Sequence, residues 1–247
     1  MAQALKFKYY YDLASQPSRA MYIIFKLNNS SDKIIYLFLI HAYCKNSIVG
    51  EHLTEKFKNE VNRFQKTPCI VEGDFKLSES IAILRYLHST GRIEDSLYPT
   101  DLKLRARVDE YLQWQHLNIR MACGLYFLDV WRNPGITGIQ PSAEKVKKLT
   151  RTMENSLNDV ENLWLGSHKF IISDSITAAD LFAACEIEQP KICGYDPTEG
   201  RPKIKAWLEA VRQATNPFYD EAHVILNKYA EKYGAETAAK IGANIKM

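Results

Sequence analysis

The stretch that most restricts how this chain can fold runs from Lys66 to Leu87, where a proline-terminated loop is followed by two short runs and a helical one. Pro68 removes a backbone donor and pushes Thr67 into an extended conformation, so Thr67 presents its N–H and C=O sideways. Cys69-Ile70-Val71 reads as a short apolar strand, Glu72-Gly73-Asp74 as a turn with glycine at its centre, and Phe75-Lys76-Leu77 as a second strand. Ser78-Glu79-Ser80 then leads into the helical run Ile81-Ala82-Ile83-Leu84-Arg85-Tyr86-Leu87. A helix N-terminus that accepts anions, facing an extended backbone edge, suits a small peptide with a free amine and carboxylates. A plain hairpin before a capped helix accounts for the same residues without any ligand.

Upstream, the aromatic run Phe7-Lys8-Tyr9-Tyr10-Tyr11 predicts the first strand, and a helix is expected from Ser18 to Lys26. Pro17 falls where the first helical turn tolerates proline, with Ser15 just before it as a candidate N-cap. The sharper role for Ser15 is a hydroxyl that donates to a thiolate held at the positive end of that helix. Three runs carry a family resemblance: Tyr11-Asp12-Leu13-Ala14-Ser15-Gln16-Pro17-Ser18-Arg19-Ala20, Asp74 through Leu84, and Arg105-Ala106-Arg107-Val108-Asp109-Glu110-Tyr111-Leu112-Gln113-Trp114-Gln115-His116. Together they resemble cytosolic glutathione transferases, most closely the theta class. The resemblance spans nearly the whole chain except residues 30–49 and the last dozen or so.

The resemblance implies an α/β plus all-α fold: a thioredoxin-like N-terminal domain over residues 1–91, with a mixed sheet and a cis-proline loop, then an all-helical domain over 97–247. It implies Ser15 as the residue that stabilises the glutathione thiolate, in preference to Tyr9, Tyr10 or Tyr11. His52 and Lys66 would meet the glycyl carboxylate, and Thr67 would pair through its backbone with the cysteinyl residue. Glu79 would face the γ-glutamyl amine, Ser80 the carboxylate beside it, and Arg120 would line the electrophile pocket over the sulfur. The reaction implied is attack of glutathione on a small electrophile by substitution, addition or peroxide reduction, in a homodimer. Glutathione is a co-substrate, and no cofactor and no metal are expected. Taken without the family, His52 reads as an ordinary surface histidine, Arg120 as a solvated helix charge and His116 as structural.

Residues 30–49 depart from the family pattern, which returns at Gly50-Glu51-His52-Leu53. The continuous apolar run Ile34 to Ile40 reads as a buried strand of a mixed sheet. An exchanged segment, from alternative splicing or a translated intron, accounts equally for the abrupt loss and return of resemblance. That departure keeps a second function class open, a non-enzymatic binding or scaffold protein retaining the fold. A dithiol oxidoreductase is disfavoured because Ser15 stands where that chemistry wants a cysteine.

A net charge of +3 over 247 residues implies no nucleic-acid partner, and the longest apolar run is far short of the roughly 20 residues of a membrane span. The five cysteines are scattered without metal-ligand spacing, and Met1 to Lys6 lacks the apolar core of a signal peptide. A cytoplasmic setting is therefore expected. A helix is expected from Thr54 to about Phe64, His88 to Asp101 reads as a polar link, and everything after that link reads as helical. Leu104, Val108, Tyr111, Leu112, Gln115 and Ile119 form one stripe running towards Trp131, and Val146, Leu149, Met153, Leu157, Val160 and Trp164 form another. Thr177 and Asp180 have capping-box spacing. The tail from Gly234 to Met247 carries little apolar weight for packing.

Overall fold

The computed structural model describes residues 6–28, 34–39, 41–44 and 47–245, with backbone alone for 41–44, 47–49 and 243–245. A four-stranded sheet in the order β2-β1-β5-β6 forms the α/β part. The aromatic run is β1 (Phe7–Tyr11), parallel to β2 (Ile34–Phe38) and antiparallel to β5 (Cys69–Glu72), which pairs in turn with β6 (Phe75–Ser78). The alternation along β1 buries Phe7 and Tyr9 and leaves Lys8 exposed, as a period of two requires. Gly73 closes the β5–β6 turn at φ +58°, a conformation that glycine reaches without a Cβ clash.

Helix α1 (Gln16–Leu27) buries Ala20, Met21, Ile23, Ile24 and Phe25. Phe25 meets the rings of Phe7 and Tyr9 edge-on at 5.7 and 4.8 Å. The strand expected at 34–40 forms, but its burial needs correction. β2 is an edge strand, so Ile35 and Phe38 are 42% and 45% exposed and only Ile34, with Leu39 just past the strand, is buried. A continuous apolar run does not distinguish a central strand from an edge that has neighbours on one side only. The rest of the atypical segment contributes an antiparallel hairpin, β3 (His41–Cys44) and β4 (Ser47–Gly50), whose residues pair from His41↔Gly50 to Cys44↔Ser47. Asn29 to Lys33, Ile40, Lys45 and Asn46 lie outside the described residues.

A one-turn 3-10 segment, Glu51–Leu53, leads into α2 (Glu55–Glu60), which is shorter than expected. Thr54 caps it by accepting the Phe57 N–H at 3.1 Å. Helix α3 (Ser80–Ser89) follows β6 directly, and every element from Leu102 onwards is helical.

The long stripe expected from Leu104 towards Trp131 is divided. Helix α4 (Leu102–Leu117) stops at Asn118, whose φ and ψ are −114° and −104°, and α5 (Ile119–Phe127) restarts at once. A π turn, Leu128–Arg132, and α6 (Asn133–Thr137) complete that run. Helix α7 (Ala143–Asp159) also ends in a π turn, Val160–Trp164. Helix α8 (Ala178–Glu188) is buried along its whole length and forms the centre of the helical part, followed by a 3-10 segment, Gln189–Cys193. Two further helices close the chain, α9 (Pro202–Thr215) and α10 (Phe218–Ile245). At the start of α8 the buried Asp180 carboxylate accepts from Thr177 N–H, Thr177 O–H, Ile171 N–H and Trp207 Nε1–H at 2.8–3.1 Å. Burial nevertheless pushes its pKa up, against the pull of those donors. The expected pairing of Thr177 with Asp180 is present.

Candidate active site

Tyr9 donates its hydroxyl to the Ser18 carbonyl at 2.8 Å in the interior, and burial drives its pKa well above the ordinary value. That phenol is committed to the core. Ser15 differs. It occupies the N-cap position of α1 in extended conformation, yet its side chain makes no cap hydrogen bond, contrary to the simplest reading of the sequence. The turn before it is closed by other groups: Ser15 N–H donates to the Asp12 carbonyl at 3.0 Å, and Ala14 N–H to Asp12 Oδ1 at 2.9 Å. The hydroxyl thus stands at the positive end of a twelve-residue helix with its hydrogen-bonding capacity unspent on the helix itself.

The turn that carries Ser15 is held from the helical part of the chain. Arg19 is wholly buried; its Nη1 donates to the Leu13 carbonyl at 3.0 Å, and its Nη2 to the Cys185 carbonyl and Gln189 Oε1 at 2.8 and 2.7 Å. Gln189 Nε2 reaches the Ala14 carbonyl at 3.4 Å. Neither Arg19 nor Gln189 is singled out by the sequence, because a buried arginine and a surface one have the same local pattern.

One cavity of about 690 Å³ gathers Ser15, His52, Lys66, Thr67 and Arg120 in its walls, together with His116 and Arg132. It is within the usual size range of a small-molecule site. His52 comes from the 3-10 turn after the atypical hairpin. Lys66 and Thr67 come from the loop before β5, and Asn62 shapes that loop. Its buried side chain donates to the Lys66 carbonyl at 2.8 Å and accepts the Phe64 N–H at 3.0 Å, while Gln65 adopts φ +53°. The Thr67-Pro68 peptide bond is cis.

Glu79 and Ser80 lie at the start of α3 and are not in the wall of this cavity as it stands. Glu79 is close enough to bear electrostatically on His116, which is in the wall. Its backbone, at φ +69° and ψ +108°, is outside the regions that a residue with a Cβ adopts freely. Such a conformation costs on the order of 1–3 kcal/mol and clusters at functional sites. No side chain caps α3, so the first N–H groups of that helix are open to an anion.

His116 is a wall residue, where a structural role is the plain sequence expectation. Burial pushes its pKa down, and the nearby Arg120 adds to that, so the ring is neutral at pH 7. Arg120 is not a solvated helix charge. Its Nη1 is hydrogen-bonded to Oε1 of Glu186, whose side chain is fully buried on α8. Burial raises the Glu186 pKa while Arg120 and Arg19 oppose that rise, and Glu186 Oε2 has no hydrogen-bond partner among the described residues. The sequence gives no sign of this pairing across 66 positions, nor of Arg132, which the π turn brings into the wall.

The chain matches two family descriptions, "Glutathione S-transferase, N-terminal domain" over residues 44–89 and "Glutathione S-transferase, C-terminal domain" over residues 118–214. The N-terminal match begins near the end of the atypical segment. Glutathione S-transferase theta-1 of Homo sapiens is 35% identical over 223 residues, covering 89% of this chain and 88% of the relative. Glutathione S-transferase theta-2 of Rattus norvegicus is 39% identical over 202 residues, covering 82% and 79%. Among solved structures, a human theta-class enzyme in complex with the glutathione conjugate of 1-menaphthyl sulfate superposes with a TM-score of 0.82 at 32% identity, covering 98% of this chain and 99% of that one. Human glutathione S-transferase T1-1 in its apo form gives 0.81 at 32% identity, covering 97% and 99%. In sequence and in fold, this chain belongs to the glutathione S-transferase family, with theta-class enzymes among its relatives.

Proposed function

We propose that this protein conjugates the thiolate of glutathione to small electrophiles, with the Ser15 hydroxyl stabilising the sulfur anion. The observation that carries the reading is the unspent hydroxyl of Ser15 at the N-terminus of α1, sharing one cavity wall with His52, Lys66 and Thr67. Free thiols have a pKa near 8.5, so only a small fraction is ionised at pH 7; a hydroxyl donor at a helix N-terminus increases that fraction. Lys66 and His52 take the glycyl carboxylate, the Thr67 backbone pairs with the cysteinyl residue as an added strand would, and Glu79 takes the γ-glutamyl amine. The open N–H groups at Ser80 receive the γ-glutamyl carboxylate. Arg120, held by Glu186, faces the electrophile.

In a substitution the thiol proton leaves to solvent, the thiolate forms a C–S bond, and the leaving group departs with the electrons of the broken bond. Holding both reactants in one cavity lowers the barrier by proximity, and the hydroxyl and helix terminus stabilise the anion. Glutathione is consumed as co-substrate; the mechanism calls on no resident cofactor or metal. A homodimer is part of this proposal.

Ser15→Ala is expected to lower kcat by roughly 10²–10³-fold, the usual loss for one donor to a reacting anion. Glutathione affinity is expected to change less than about threefold, since both charged ends of the peptide keep their partners. Calorimetry with glutathione, thiolate absorbance against pH, and turnover together decide the matter. Undiminished turnover in the variant removes Ser15 from its role. A folded wild-type protein that does not bind glutathione removes the function.

A further inference from the structure

The atypical segment links the two sides of the cavity that holds Ser15. On its N-terminal side the chain is tied to the four-stranded sheet as far as Leu39, whose N–H donates to the Tyr11 carbonyl at 2.8 Å. On its C-terminal side β4 ends at Gly50, directly before the 3-10 turn that puts His52 and Leu53 in the cavity wall. Between these anchors β3 and β4 leave the sheet. Among the described residues they form a two-stranded sheet of their own, and Cα atoms of β3 come within 8 Å of Cα atoms of α6. Helix α6 belongs to the opposite wall. It begins at Asn133, immediately after Arg132, the wall residue that ends the π turn. The hairpin therefore starts beside His52 on the α/β side and rests on the helical side.

A hairpin of two four-residue strands is at best marginally stable in water by itself, because each strand has a partner on one side and little area to bury. Such an element opens at a small fraction of the free energy that unfolds a core, and mobile lids are drawn from that class. Its anchors are of the other kind. Leu39 is buried with Phe57 and Cys69, and Thr54 caps α2 just beyond His52. Lifting β3 and β4 off α6 thus leaves the sheet and the His52 turn in place.

We propose that the β3–β4 hairpin is a strap across the entrance of the cavity, closed when β3 is seated on α6, and that entry of glutathione and release of its conjugate wait for it to lift. The inference rests on the conjugation reading above for its ligands, and adds a gate built from the segment in which this chain departs from its family. A strap that closes over the empty and the occupied cavity alike sets rates and not affinity, since an element with equal preference for both states shifts no equilibrium.

His41 and Gly50 are paired across the ladder, so an Asn-Gly turn in place of residues 42–49 removes the strap and keeps both anchors. Stopped-flow mixing with glutathione and with S-hexylglutathione, read by tryptophan fluorescence, gives association and dissociation rates for the wild type and the shortened chain. Both rates are expected to rise roughly tenfold or more in the shortened chain, while Kd for each ligand stays within about threefold. A second readout needs no variant. In hydrogen exchange on the wild type, the amides of β3 and β4 are expected to exchange together and well before those of β1 and β5. Equal rates in the two proteins, or hairpin amides that exchange only along with β1 and β5, overturn the strap. Faster dissociation alone, with Kd weakened to match, assigns the hairpin to ligand contact and overturns it as well. A wild type that does not bind glutathione fails the conjugation reading, whereas one that binds as fast as the shortened chain fails the strap alone.

Discussion

At the scale of single residues, three positions in or beside the cavity depart from ordinary local pairing or backbone geometry. Ser15 caps by position but not by its side chain, Glu79 holds a backbone conformation foreign to a residue with a Cβ, and Arg132 has no carboxylate partner among the described residues. Asp180 is the opposite case, a carboxylate with four donors. Asp180→Ala leaves the N–H groups of Ile171 and Thr177 and the Trp207 indole without their acceptor in the interior. The expected loss is about 3–5 kcal/mol, read as a fall in the midpoint of urea unfolding with an unchanged slope. A shift within experimental error would mean that these donors find other partners. The Thr177–Asp180 pairing is legible from spacing alone, because both partners lie within one helical turn. The carboxylate's bonds to Ile171 and Trp207 are not, nor is the Arg120–Glu186 pair, because nothing local in sequence joins residues that meet only after helices have packed.

Among the elements, legibility depends on the kind of packing. The proline loop, the glycine turn and the alternating strands between Lys66 and Ser78 are marked by residues with restricted backbones, and they form as the sequence indicates. The run towards Trp131 is divided because Asn118 breaks the helix and the π turn shifts the helical phase beyond Phe127, so that a strict 3.6-residue stripe does not reach Arg132. The tail looks weak by apolar weight, yet α10 continues as helix to Ile245. Its anchoring depends on smallness. Gly194, at φ +76°, lies against the backbone of Gly234, and a Cβ there would stand 2.9 Å from the Ala238 Cβ and closer still to the Gly234 carbonyl oxygen. Gly194→Ala therefore combines an unfavourable backbone conformation with overpacking against a helix. It is expected to destabilise by about 2–4 kcal/mol, with hydrogen exchange accelerated first in the 230s of α10. Unaltered exchange there would show that the contact does not hold the tail.

Over the whole molecule, the α/β part and the helical part are joined by charge in a buried region as well as by apolar contact. Arg19 of α1 reaches the segment that ends α8, and next to it Glu188 accepts from Tyr219 of α10 at 2.6 Å and is paired with Lys191. His223 of α10 packs on Tyr219 with ring centroids 4.1 Å apart. Its Nδ1 is 2.7 Å from the Tyr219 carbonyl and its Nε2 is 3.2 Å from Glu188. Burial pushes the His223 pKa down to about 4; Glu188 opposes the shift, while Arg19 and Lys191 add to it. Unfolded, this histidine takes up its proton near pH 6.5; folded, it does so only near 4, so between those values the unfolded chain holds more protons. Stability contributed by the neutral ring is complete above pH 6.5 and declines as pH falls towards 4, by at most about 1.4 kcal/mol per pH unit. Glu188 is held below its ordinary value by the same cluster, and its share is lost at still lower pH. Urea unfolding between pH 7 and 4.5 should therefore show a slope that is flatter by up to one proton in His223→Gln, a neutral replacement of similar reach. Parallel pH profiles for the two proteins would show that His223 is protonated in the fold as readily as outside it, and would remove the buried cluster as the source of acid sensitivity.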